Sequence, residues 1–133
     1  MKNTSIESID ICVDFDGTCV THEYPNVGKD IGAAPVLKRL VQNGHNLILF
    51  TMRGNTDLID AVNWFRQNEI PLYGINKNPT QLGWLTTSPK VYAELYIDDR
   101  TLGCPLIMKP DYAKRPFVDW KKVEEILTES GLI

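Results

Sequence analysis

Ile9-Asp10-Ile11-Cys12-Val13-Asp14-Phe15-Asp16-Gly17-Thr18 is the stretch that decides the fold. The run through Val13 is mostly apolar and reads as a strand, and Gly17 and Thr18 are turn formers that stop it. A strand that ends on two acids, Asp14 and Asp16, points to a site at its carboxyl end.

Reading outward, Pro35 sits in the first turn of a predicted helix over 34–43. Val36, Leu37, Leu40 and Val41 recur there at helical spacing, and Gly44 stands where a C-terminal cap belongs. Residues 46–50 form a continuous apolar run ending at Thr51, as a strand covered on both faces of a parallel sheet reads. Asn55 or Thr56 then caps a second helix with Leu58, Ile59, Val62 and Phe65 on one side. Leu72-Tyr73-Gly74-Ile75 is a third strand, and 76–88 is a polar, turn-rich connection containing Asn78-Pro79 and Trp84-Leu85. A short helix over 90–94, a fourth strand over 95–97 and a fifth over 105–108 follow. Asp119 caps a last helix whose apolar stripe is Trp120, Val123, Ile126 and Leu127. This alternation predicts an α/β fold: a three-layer α/β/α sandwich around a Rossmann-like parallel sheet of about five strands.

The chain has 133 residues. That is enough for one core, so residues 1–133 are read as a single domain. A net charge of −3, with 43% hydrophobic and 23% charged residues, fits a globular protein and disfavours a general nucleic-acid binder. Three cysteines without Cys-x-x-Cys spacing indicate neither a disulfide framework nor a zinc site, and Cys12 reads as a small core residue. Residues 1–10 lack the apolar run of an export signal, no apolar stretch is long enough to span a bilayer, and the end carries no lipidation signal. The expectation is a cytoplasmic protein without membrane association.

In an open parallel sheet, ligands sit beyond the carboxyl ends of the strands, where the strand order reverses. The residues at those ends are Asp14 and Asp16, Thr51 and Arg53, Asn76, then Asp98 and Asp99. Two unit charges about 4 Å apart repel by roughly 4 kcal/mol at an effective dielectric of 20. Four carboxylates on one rim therefore call for a cation, and a hard divalent ion such as Mg²⁺ suits oxygen ligands and a substrate phosphate. Asp14 then suits a nucleophile and metal ligand, and Asp16 a group that exchanges a proton with the leaving group.

Asp14-Phe15-Asp16-Gly17-Thr18, Thr51, Lys90 and Asp98-Asp99 resemble, in order, the four motifs of the haloacid dehalogenase-like (HAD) superfamily. The likeness covers 9–99 and is greatest to small capless phosphatase-type members with Thr-x-Arg in the second motif. The resemblance implies a Mg²⁺-dependent phosphomonoesterase. Asp14 would form an aspartyl phosphate, Asp16 would act as general acid and then base, and Thr51 would bind phosphoryl oxygens. Lys90 would neutralise charge at the nucleophile and phosphate. Asp14, Asp98 and the Asp16 main-chain carbonyl would hold Mg²⁺, with Asp99 orienting a metal water or Lys90.

Arg53 is a candidate fork for a substrate anion, weighed evenly against a salt bridge to a nearby acid. Arg100 is read as structural. Lys77 competes with Lys90 for the family lysine. His22, Glu23 and Tyr24 lie where the family carries a mobile flap, though exposed loop residues without a role are the commoner case. Trp84 is either a substrate platform or packed on Leu85. Lys109, Lys114, Arg115, Lys121 and Lys122 read as a solvated basic face; a nucleic-acid-end substrate would be tested there first. Sixteen residues between Thr18 and Pro35, and 36 between Arg53 and Lys90, leave no room for a folded cap of about 40 residues or more. The site is therefore expected to be open, closed at most by the loops at 19–31 and 76–88 or by a second subunit in a homo-oligomer. The expected partner is a small phosphorylated substrate. The competing reading is a receiver-like or non-catalytic phosphate-binding module; a receiver's acceptor aspartate follows the third strand, where this chain has Ile75-Asn76.

Overall fold

A computed structural model describes residues 7–133, so residues 1–6 of the segment read for an export signal lie outside the described residues. Four parallel strands make the main sheet: β1 (Asp10–Val13), β2 (Asn46–Leu49), β3 (Gly74–Ile75) and β4 (Leu95–Ile97), in the order β3-β2-β1-β4. β1 is central and buried throughout, with Ile11 paired to Leu47 on one side and Leu95 on the other. The chain winds outward through β2 to β3 and then returns to the opposite side of β1. The strand order thus reverses between β1 and β4, where a crevice opens at the carboxyl ends.

Alternation along the strands sends side chains to two different environments. Ile11, Val13, Leu47 and Leu49 pack with the helices α1 (Ala33–Gln42), α2 (Asn55–Gln67) and α3 (Trp120–Glu129). Cys12 and Ile48 point the other way and meet Val91, Ala93 and Tyr96. That second face carries no α-helix among the described residues. The expected three-layer sandwich is therefore corrected to one helical layer, the sheet, and a covering segment over 76–94. Two features of that segment oppose a helix. Pro79 and Pro89 restrict the backbone, and Asn78 is buried, donating to Asp10 Oδ2 (2.8 Å) and the Tyr92 carbonyl (2.9 Å). The chain makes a 3₁₀ helix over Pro79–Gly83, and the helix expected over 90–94 does not form.

The fifth strand is likewise corrected. Its core, β5 (Leu106–Ile107), lies outside the main sheet and pairs antiparallel with β6 (Phe117–Val118). The Val118 amide donates to the Gly17 carbonyl (3.0 Å), so this small ribbon buttresses the loop after β1 instead of widening the sheet. Two expected core residues are exposed. Ile59 falls one residue off the Leu58, Ala61, Val62, Phe65 stripe of α2, and Ile126 falls off the Trp120, Val123, Leu127 stripe of α3. Asp119 does cap α3, accepting from the Lys122 amide (3.2 Å). Cys12 is buried, and desolvation with Asp10 nearby pushes its thiol up to about 11, as suits a core residue. No helix among the described residues is long and apolar enough to cross a membrane.

Candidate active site

The Asp14 amide donates to the Ile97 carbonyl (3.0 Å), which ties the end of β1 to the end of β4. Phe15 is fully buried and anchors the turn, so Asp14 and Asp16 on either side of it reach the crevice. Gly17 has φ +81°, and a Cβ there would lie 2.5 Å from Asp99 Oδ2. Both its conformation and this close approach require glycine. Thr18, read from sequence only as a turn former, is fully buried and central to the site. Its Oγ1 lies 2.9 Å from Asp14 Oδ2 and 3.2 Å from Asp99 Oδ1, and it accepts from the Asp99 amide (3.0 Å). A hydroxyl has one proton, so it serves one carboxylate at a time. The Thr18 carbonyl is itself held by buried Trp120, whose indole N–H donates to it (2.7 Å).

Oxygens of Asp14, Asp98 and Asp99 all lie within 4.8 Å of one another. Burial first and the charge of Asp98 second push Asp14 up to about 8. Asp98 is also raised, by burial and by its Asp99 neighbour. The nearby cation is Arg100, whose Nε is 3.9 Å from Asp99 Oδ2 and whose side chain is largely in solvent. Three crowded carboxylates with so little neutralisation form a donor set that fits a hard divalent cation. Asp99, expected only to orient a metal water or Lys90, joins this set.

Asp16 is bound elsewhere. Arg53 Nε donates to Asp16 Oδ2 (2.8 Å) and Nη2 to Asp16 Oδ1 (2.7 Å). Its other three N–H groups go to the carbonyls of Pro25 (3.1 Å), Asn26 (2.9 Å) and Asp57 (3.1 Å). All five donors are spent on a residue only 3% exposed. The expectation that Arg53 binds a substrate anion is therefore corrected: it is the salt-bridge partner of Asp16 and a clamp on the loop after the first motif.

Asp14, Asp16, Thr51, Arg53, Asp98 and Asp99 line one cleft of about 510 Å³, together with His22, Tyr24, Met52 and Arg100. Thr51 is oriented by its amide bond to Asn76 Oδ1 (2.8 Å), and its Oγ1 accepts from the Arg53 amide (3.1 Å). Asn76 thus works behind the rim. Lys90 is not brought to the cleft. It stands over the Tyr96 ring (5.8 Å) in a separate hollow with Trp84 and Tyr92, and no lysine among the described residues lines the acidic crevice. The 76–88 segment also stays away from the cleft, whereas the 19–31 loop contributes His22 and Tyr24.

No family model matches the chain, and no curated protein matches it. A solved structure of a conserved protein from Bacteroides thetaiotaomicron is similar, at 35% identity over 93% of each chain with a TM-score of 0.74.

Proposed function

This chain belongs to one family with that conserved Bacteroides thetaiotaomicron protein, and we propose that it is a capless, Rossmann-like phosphomonoesterase of the haloacid dehalogenase-like type, dependent on Mg²⁺. The observation that carries the reading is the convergence of Asp14, Asp98 and Asp99 at the switch point between β1 and β4. Asp14, Asp98 and Asp99, with the Asp16 main-chain carbonyl, would hold Mg²⁺, which would supply the positive charge that keeps Asp14 ionised beside a substrate phosphate.

The protein's residues then divide the work. An oxygen of Asp14 attacks phosphorus, forming the aspartyl phosphate as the bond to the leaving oxygen breaks. Asp16, which must take up a proton when substrate enters, gives it to that oxygen, and the Arg53 fork stabilises the carboxylate left behind. A water then attacks the phosphoaspartate, Asp16 takes its proton, and phosphate leaves with Asp14 restored. Thr51 hydrogen-bonds the phosphoryl oxygens.

One observation favours the alternative of a phosphate-binding module without turnover: Lys90 lies outside the cleft. Among the described residues Arg100, on the rim beside Asp99 and largely in solvent, is the cation placed to replace it. Hydrolysis of a generic aryl phosphate by the purified protein decides between the two. We expect Mg²⁺-dependent turnover that chelation abolishes, and a loss of at least about 10³-fold in Asp14→Asn. A near-wild-type rate in that variant, or indifference to chelator, overturns the proposal.

A further inference from the structure

The cleft is also lined by residues that the phosphate chemistry does not use, and these have a different character. Tyr24 is 51% exposed there, although its ring is held from two directions. Its hydroxyl donates to Asp57 Oδ2 (3.0 Å), and the Arg53 guanidinium lies 5.1 Å from its centroid. Arg53 also lies over the buried Phe15 ring (5.0 Å) and binds the carbonyls of Pro25 and Asn26, next along from Tyr24. The tyrosine is thus backed by a rigid cation with its remaining surface turned to solvent. Met52, between the anchored Thr51 and Arg53, lines the same cleft with its side chain fully exposed.

We propose that Tyr24 and Met52 form a subsite for a flat aromatic ring, so that the ligand is a phosphomonoester whose alcohol or phenol carries such a ring. The proposal rests on the reading of Asp14 as the phosphate end of the cleft. A cleft of about 510 Å³ is of the size that encloses a whole small molecule, far more than a phosphate group fills. An aromatic face and a polarisable thioether are the surfaces that favour a flat ring, and a ring already fixed by Arg53 and Asp57 loses little freedom on binding.

Calorimetric titration in Mg²⁺ with two non-hydrolysable phosphonates, phenylphosphonate and methylphosphonate, tests the subsite. Phenylphosphonate is expected to bind about five- to tenfold more tightly, the range of one good aromatic contact. Met52→Ala and Tyr24→Leu should each remove about threefold or more of that preference while affinity for methylphosphonate holds, and Tyr24→Phe should retain it. Met52 is fully exposed, so its variant tests the subsite without threatening the fold. Equal affinity for the two phosphonates, failure of both to bind, or an undiminished preference in both Met52→Ala and Tyr24→Leu overturns the subsite. Ring-selective binding without hydrolysis of phenyl phosphate supports the subsite and overturns the phosphatase reading. Hydrolysis without ring selectivity does the reverse.

Discussion

Asp14 and Asp16 share one loop, yet the two walls of the cleft to which they belong are built in opposite ways. On the Asp14 wall three carboxylates crowd within 4.8 Å, and burial with mutual repulsion raises Asp14 and Asp98. On the Asp16 wall one carboxylate meets one guanidinium, and every donor of that guanidinium is used. The first wall is the one proposed to take a cation from solution. The second brings its own cation and spends it on holding the loop. A count of acids at the strand ends treats the two alike, whereas the geometry leaves one as an uncompensated acid cluster and makes the other a preorganised ion pair.

Breaking the Arg53 wall should have the largest effect on stability. Arg53→Met leaves Asp16, the loop carbonyls of Pro25 and Asn26 and the Asp57 carbonyl of α2 without their partner in a largely buried place, and loss of one member of such a pair costs about 3–5 kcal/mol. Urea unfolding would read this directly. A loss below about 1 kcal/mol would mean that the loop is held by other contacts. Arg53→Lys should recover only part of the loss, because an ammonium with three donors cannot reproduce a five-donor fork.

The Asp14 wall should reveal itself through pH. In chelator, Asp14 is raised from 3.8 to about 8, so the native state binds more protons than the unfolded chain across that interval. Stability must then fall as pH rises from about 4 to about 8, by at most about 1.4 kcal/mol per pH unit for one group. Thermal unfolding between pH 5 and 8 should show a decline on the order of a few kcal/mol. Asp14→Asn should flatten it, and saturating Mg²⁺ should reduce it. A stability that rises with pH in wild-type protein with chelator would contradict the uncompensated wall.

The contrast also marks what was legible in the sequence. Apolar runs that stop at charged residues locate strand ends, so Asp14, Thr51 and Asp98 could be placed on one rim. Side-chain direction is not written in such runs. Nothing local says that Arg53 turns inward to Asp16 and the carbonyls of Pro25, Asn26 and Asp57, or that the Thr18 hydroxyl spans Asp14 and Asp99. Thr18 did carry one signal, its place at the end of the Asp14-Phe15-Asp16-Gly17-Thr18 motif. The second face of the sheet was misread because a turn-rich segment can cover apolar strands when one residue, here Asn78, satisfies its backbone. The partner of β5 is β6, a pairing that depends on the loop at Gly17 and not on any local pattern.

The sharpest separation of the two walls is the smallest in size. At ten times its dissociation constant, an ion that binds only the folded state stabilises it by about 1.4 kcal/mol, or about 5 °C for a domain of this length. If Asp14, Asp98 and Asp99 hold the ion, Asp98→Asn and Asp99→Asn should abolish the Mg²⁺-induced rise in Tm measured at fixed pH. Asp16→Asn should keep it, because its carboxylate faces Arg53 and only its main-chain carbonyl is assigned to the ion. Each variant is its own reference, measured with and without Mg²⁺, so the destabilisation expected from disturbing the Arg53 pair cancels from the comparison. An Asp16→Asn protein that loses the shift while Asp99→Asn keeps it would move the ion to the other wall.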